Sequence, residues 1–102
     1  MITIDSFLII RYSFGMKFEY NEPKNRTNIE IHGVDFIIAQ EIWQDEMMLE
    51  IVLNFPDETR IMCIGKINHK YWTAIITYRE ETIRIISVRR SRKKEILRYE
   101  NS

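Results

Sequence analysis

Almost the whole of residues 48–90 follows a strand pattern that is broken only by short polar turns. Aromatic and β-branched residues dominate these segments, and turns this short join antiparallel neighbours. The last segment is typical of a central strand covered on both faces, because it is rich in aliphatic residues. We therefore predict four consecutive antiparallel strands, over Met48–Leu53, Thr59–Ile67, Tyr71–Tyr78 and Thr82–Arg90.

Two helices are predicted before these strands. A short strand over Lys17–Tyr20 is followed by Asn21, whose side chain can cap a helix that runs from about Pro23 to Gly33. Glycine is expected at that end because it adopts the left-handed conformation without strain. A second helix is predicted from Phe36 to about Trp43, with Asp35 as its cap.

A third helix is predicted over Arg92–Glu100, with Ser91 as its cap. The order of elements predicts an α+β domain in which helices pack on a curled antiparallel four-stranded meander sheet with a short extra N-terminal strand. The chain has 102 residues, which is enough for one domain with one core.

Composition excludes several classes of protein. The single cysteine, Cys63, excludes a disulfide framework and a cysteine-based zinc site, and we expect a buried thiol in a protein of the reducing cytoplasm. No apolar run is long enough to span a membrane. Glycine-rich phosphate loops and metal-ligand spacings are absent from the sequence, so we predict no metal and no cofactor.

Zero net charge conceals an asymmetry between the two halves of the chain. Residues 1–51 carry four basic and nine acidic side chains, whereas residues 52–102 carry eleven basic and six acidic ones. The basic excess is concentrated between Arg89 and Arg98. This pattern is typical of a protein that binds a polyanion or an acidic partner, and equally of a solvated basic helix.

Several arginines lie on predicted strands. By strict alternation Arg84 shares a face with Arg90, whereas Arg89 shares the other face with Ser87. An arginine among aliphatic residues needs a partner, because an unpaired buried charge is costly. Two interpretations stay open for Arg84: an ion pair with Glu50, Glu80 or Glu81, or a phosphate site that uses the guanidinium fork.

Three groups of residues resemble the BrnT family, the toxin half of a bacterial type II toxin–antitoxin system. The first contains Phe18-Glu19-Tyr20-Asn21, Lys24-Asn25-Arg26, Asn28 and His32-Gly33-Val34-Asp35-Phe36 with Ala39. The second is Arg60 followed by Ile64-Gly65-Lys66. The third and most specific contains Thr77-Tyr78-Arg79, Ile83-Arg84-Ile85-Ile86-Ser87-Val88-Arg89-Arg90 and Arg98-Tyr99-Glu100.

The resemblance implies a fold similar to that of RelE-type ribonuclease toxins and an endoribonuclease that arrests translation. It also implies a ribbon-helix-helix antitoxin, similar to BrnA, which would hold the toxin in a hetero-oligomer. DNA would then be contacted only through the antitoxin. No membrane partner is expected.

Metal-independent RNA cleavage needs cationic donors for the phosphate and groups that move protons. We expect Arg60, Arg79, Arg84 and either Arg89 or Arg90 to be the donors. His32 is the candidate acid or base, although it could instead only cap its helix, and Glu80, Glu81 and Tyr78 are alternatives. Further RNA contacts are expected from six residues: Lys66, Ser87, Arg89, Arg90, Arg92 and Lys93.

The chain departs from the family pattern at a few positions. Tyr20-Asn21 stands in place of Trp-Asp, Ile31 in place of a lysine, and Ile76 in place of a tyrosine. These departures leave open a non-catalytic or decayed module that only binds its antitoxin or the ribosome. Residues 1–15 lie outside the resemblance, and we expect them to be an extension upstream of a true start at Met16, with the toxin domain over residues 16–102.

Overall fold

The computed structural model describes residues 8–102, which form an α+β fold with three helices and one six-stranded mixed sheet. The strands lie in the spatial order β1-β2-β6-β5-β4-β3. None of the described helices has the length and apolar character needed to cross a membrane. In chain order the elements are β1 (Leu8–Ser13), β2 (Met16–Asn21), α1 (Glu22–His32), α2 (Phe36–Ala39), a 3₁₀ turn (Gln40–Gln44), β3 (Leu49–Asn54), β4 (Thr59–Ile67), β5 (Lys70–Arg79), β6 (Thr82–Arg90) and α3 (Lys93–Glu100).

The sheet is larger than predicted and is not wholly antiparallel. Strands β3 to β6 pair antiparallel in chain order, and β1 pairs antiparallel with β2. Strand β2, however, pairs parallel with β6, with Glu19 opposite Arg84. The four predicted antiparallel strands are therefore present but make up only part of the sheet, because the N-terminal hairpin joins the same sheet beside β6. Pairing between strands so far apart in sequence leaves no local signal.

Helix α1 has the ends that the sequence predicts, but its buried face is polar. The Asn21 side chain accepts a hydrogen bond from the Lys24 amide at 3.1 Å, and Gly33 has φ 70° at the other end. The buried residues of the helix are Asn25 and Asn28. The side chain of Asn28 accepts from Val88 N at 3.1 Å and donates to Val34 O at 3.0 Å. Helix α1 therefore supplies a hydrogen-bond acceptor to a part of the β6 edge that does not pair with β2.

The second helix is shorter than predicted and tightens into a 3₁₀ turn after Ala39. Asp35 caps it as expected, since the carboxylate accepts from Ile37 N at 2.8 Å. The 3₁₀ turn packs directly on β4 at Gly65, where an added Cβ would lie 2.8 Å from Ile42 Cγ2. A side chain at this position would force the turn away from the sheet.

Helix α3 packs on the opposite face of the sheet and begins one residue later than predicted. Arg92, not Ser91, is the N-cap residue, and its amide donates to Glu95 Oε1 at 2.7 Å. Ser91 Oγ instead lies 2.7 Å from the hydroxyl of Thr73 on β5. The predicted cap at Ser91 is therefore wrong, because a tertiary contact with the sheet occupies its side chain.

A bulge in β6 overturns the predicted arrangement of its arginines. Ile75 pairs with Ser87, but Ile76 pairs with Ile85, so Ile86 is an extra residue in this strand. The alternation of side chains reverses at the bulge. Consequently Arg84, Ser87 and Arg89 share the face that carries α3, and Arg90 points to the opposite face together with the buried Val88.

Candidate functional site

Three of the predicted arginines lie together at one end of the sheet. Helix α3 packs on the same face of the sheet, at the opposite end of the strands. Arg60 begins β4, Arg79 ends β5 and Arg84 is near the start of β6, so antiparallel pairing brings them to the same end. They line a cavity of about 420 Å³. The full lining is Lys24, Glu58, Arg60, Thr77, Arg79, Arg84 and Ile86.

Glu19 of β2 lies beside two of these arginines and is buried. Its Oε1 is 3.8 Å from Arg79 Nη1 and 4.0 Å from Arg84 Nη1. These separations are too long for direct hydrogen bonds. The ion-pair partner of Arg84 is therefore Glu19, and not Glu50, Glu80 or Glu81. The parallel pairing of β2 with β6 is what creates this contact.

Arg60 makes closer contacts. Its Nε donates to Glu58 Oε1 at 2.6 Å, and its guanidinium lies over the Phe55 ring, 5.4 Å from the ring centroid. Phe55 and Glu58 both lie in the loop that joins β3 to β4. They hold the guanidinium in the cavity lining, where the side chain is partly exposed.

A second depression adjoins the arginine cavity along helix α1. Its volume is about 350 Å³, and it shares two lining residues, Lys24 and Ile86, with the arginine cavity. His32 and Ser87 line this second depression. Because the two depressions adjoin at these two residues, we refer to them together as the α1–β6 groove, with the arginines at one end and His32 at the other.

The remaining predicted cations lie away from this groove or are already bonded. Arg89 donates from Nη1 and Nη2 to the two carboxylate oxygens of Glu95, both at 2.7 Å. Arg90 lies over the Trp72 ring at 5.3 Å, and Lys66 lies over the Tyr71 ring at 4.9 Å. Two others, Arg92 and Lys93, are exposed at the start of α3.

The contacts of Glu95 perturb its titration strongly. Burial alone would raise the pKa of this carboxyl, but hydrogen bonds from Arg89, from the Arg92 amide and from Thr73 outweigh burial and lower the pKa to about 2. Arg89 is therefore part of a structural ion pair that joins β6 to α3.

The alternative acid–base candidates lie in a different cavity. Tyr78, Glu80 and Glu81 line a depression of about 1090 Å³ together with Trp43 and Ile83. Because Tyr78 alternates with Arg79, this depression opens on the other face of the sheet. Burial raises the pKa of Tyr78 to about 12, with a further contribution from its hydrogen bond to Glu50 at 3.0 Å.

The thiol of Cys63 does not line the groove. The thiol is buried in the core, as predicted, and burial raises its pKa to about 12. Within residues 8–102 no three His, Cys, Asp or Glu side chains are grouped so that they could hold a metal ion. The groove is therefore built from guanidinium, ammonium, carboxylate and imidazole groups.

Sequence reasoning missed three charged residues at the arginine cavity: Glu19, Lys24 and Glu58. Glu19 and Lys24 lie inside the N-terminal motif, so they could have been singled out, but nothing local shows that β2 and α1 border β6. Glu58 is two residues before Arg60, so a hydrogen bond between the two side chains could have been predicted from the sequence. Four cations and two carboxylates thus surround this end of the groove, which suits a phosphate ligand.

A family model described as "Ribonuclease toxin, BrnT, of type II toxin-antitoxin system" matches residues 20–95. The match covers most of the chain and includes Arg60, Arg79, Arg84 and His32. The chain belongs to this family of ribonuclease toxins, and type II membership implies an antitoxin partner. A search of curated proteins found no match.

Proposed function

We propose that this toxin cleaves RNA without a metal ion, by attack of a ribose 2′-hydroxyl on the adjacent phosphorus. The observation that carries the proposal is the convergence of Arg60, Arg79 and Arg84 on one cavity. Arginine matches phosphate oxygens in geometry and remains charged at any physiological pH. The products would be a 2′,3′-cyclic phosphate and a 5′-hydroxyl.

The three arginines would stabilise the charge that develops on phosphorus in the transition state. Arg84 has its side chain only 23% exposed, so part of its hydration is already removed before RNA binds. Its long separation from Glu19 leaves the donors of the guanidinium available to a phosphate. Fixed donors of this kind need little reorganisation during the reaction.

His32 is proposed as the general acid for the leaving 5′-oxygen, with water relaying its proton from the end of the groove away from the arginines. Histidine is the side chain best suited to proton transfer near neutral pH, and His32 lines the same groove as the arginines. An RNA strand lying along the α1–β6 groove would pass Lys24 and Ser87 between the two ends. The exposed Arg92 and Lys93 are proposed to contact RNA beyond the groove.

The cellular role follows from this chemistry. We propose that RNA cleavage arrests translation in the cytoplasm, and that a ribbon-helix-helix antitoxin similar to BrnA neutralises the toxin. A RelE-like layout is proposed for the domain, on the support of helices packed against a β-sheet. Residues 16–102 are proposed as the toxin domain, which is consistent with a family match that begins at residue 20.

The departures from the family pattern do not remove the arginine cavity. Ile76 is buried in the core on the opposite face of the sheet, so a missing tyrosine there leaves the cavity lining intact. Ile31 lines the α1–β6 groove beside His32 and is 68% exposed. A lysine at that position would have added an RNA contact, and we expect its loss to weaken binding more than chemistry.

The test is incubation of the purified protein with RNA, with and without a chelator, followed by analysis of the product ends. Cleavage that yields cyclic phosphates and is unaffected by chelator is the expected result. RNA that is bound but left intact would support a binding-only module. Cleavage that is abolished by chelator would reject the proposed chemistry.

A further inference from the structure

The arginine cavity contains one group that can accept a proton. Four of its seven lining residues are cations, Thr77 donates its hydroxyl to Thr59 O at 3.2 Å, and Ile86 is apolar. Among residues 8–102, Glu58 is the one carboxylate that lines this cavity. Glu19 lies nearby but is only 8% exposed and does not line it.

We propose that Glu58 is the general base that removes the proton from the ribose 2′-hydroxyl. The inference rests on the proposed function and adds a catalytic residue to it. Glu58 has its side chain 43% exposed, so a substrate can reach it, and its hydrogen bond to Arg60 fixes one carboxylate oxygen. The other oxygen stays available. A base must lie within hydrogen-bond reach of the proton it removes, and Arg60 places a phosphate donor directly beside it.

The step balances in atoms and charge. The O2′–P bond forms and the P–O5′ bond breaks, while the 2′-hydroxyl proton moves to the Glu58 carboxylate. The 5′-oxygen leaves with a proton that water relays from His32, because His32 lies at the other end of the groove. Water then takes the proton from Glu58 and returns one to His32. The four cations around Glu58 are Lys24, Arg60, Arg79 and Arg84.

A purely structural role is the competing explanation, because Glu58 also orients Arg60. Glu58→Gln separates the two roles. The glutamine carbonyl can still accept the hydrogen bond from Arg60 Nε, but it cannot take up a proton at catalytic pH. Glu58→Asp keeps a base and moves it back by one methylene group, so it should retain intermediate activity.

The experiment measures single-turnover cleavage of an RNA oligonucleotide and, separately, binding of the same sequence with a 2′-deoxy residue at the cleaved position. We expect Glu58→Gln to slow cleavage by about 100-fold or more, the usual contribution of general base catalysis, with binding equal or tighter. Glu30→Gln, an exposed substitution on α1, is the matched control and should leave both quantities unchanged. Melting curves establish that each variant is folded.

Three results would overturn the inference. Cleavage by Glu58→Gln within about threefold of wild type would show that no base acts there. Parallel loss of binding and cleavage would show that Glu58 acts only through Arg60. A wild-type protein that leaves all RNA intact would reject the proposed function itself, and this outcome is recognised before any variant is made.

Discussion

Arg84 and Glu19 face each other across the parallel pairing of β6 with β2, with Nη1 4.0 Å from Oε1. The Glu19 carboxylate also lies 3.8 Å from Arg79 Nη1. One buried carboxylate thus balances two arginines without saturating either. This arrangement keeps two like charges close together on a sheet and leaves their hydrogen-bond donors for an anionic ligand.

Replacing Arg84 with lysine tests this assignment. Lysine keeps the charge near Glu19 but loses the planar fork, so we expect RNA cleavage to fall by about tenfold or more. Stability should change little, because the ion pair with Glu19 is long and can be made by an ammonium group. Cleavage rate and melting temperature are measured on the same preparation. A variant whose residual activity simply follows its folded fraction would show that Arg84 is structural.

Local chemistry predicted both ends of α1 and the start of α2 but could not predict the register of the strands. Asn21, Gly33 and Asp35 act through hydrogen bonds or backbone conformations within a few residues, so their roles are readable from sequence. The bulge at Ile86 and the parallel pairing of β2 depend on contacts across the whole sheet. For that reason the arginines Arg60, Arg79 and Arg84 were identifiable, whereas the position of Glu19 and Lys24 beside them was not.

Asn28 is predicted to be among the most important residues for stability. Asn28→Ala leaves Val88 N–H and Val34 C=O buried without partners, which should lower the free energy of unfolding by about 2–4 kcal/mol. Glu30→Ala, an exposed substitution two residues further along α1, is the control and should change this free energy by less than about 0.5 kcal/mol. Urea denaturation gives both values. Equal stability of the two variants would mean that water replaces the Asn28 side chain.

Acid should weaken the connection between β6 and α3. The pKa of Glu95 is about 2 in the folded protein, against an ordinary value of 4.5, so its stabilisation is fully present above pH 4.5. It is lost as pH falls from there toward about 2. We expect Glu95→Gln to be less stable than wild type near neutral pH and to lose less stability on acidification.

The measurement is urea denaturation at about pH 6, where the Glu95 carboxylate stabilises the fold fully, and at about pH 3, where it does so only in part. Glu46→Gln, an exposed substitution, serves as the control and should follow the wild-type pH dependence. If Glu95→Gln loses as much stability as wild type between the two conditions, then other carboxylates govern acid sensitivity and the Arg89–Glu95 pair does not.

The arginine cavity is the surface that an antitoxin is expected to cover. A toxin that cuts cellular RNA must be held inactive, and the most direct way is to cover the cations that bind phosphate. An acidic segment of the antitoxin would gain both steering and specificity at the arginine cavity. We therefore expect the antitoxin and RNA to compete, so that titrating antitoxin into a complex with a non-cleavable RNA analogue releases the RNA.

Charge substitutions should divide this binding into two kinetic effects. Lys93→Ala, on the exposed start of α3, should slow antitoxin association and reduce its dependence on salt, because rim charges act mainly through steering. Arg84→Ala, inside the cavity, should instead speed dissociation, because it removes a partly desolvated contact. If saturating antitoxin leaves RNA affinity unchanged, the two ligands occupy different surfaces. Inhibition would then have to act from outside the α1–β6 groove.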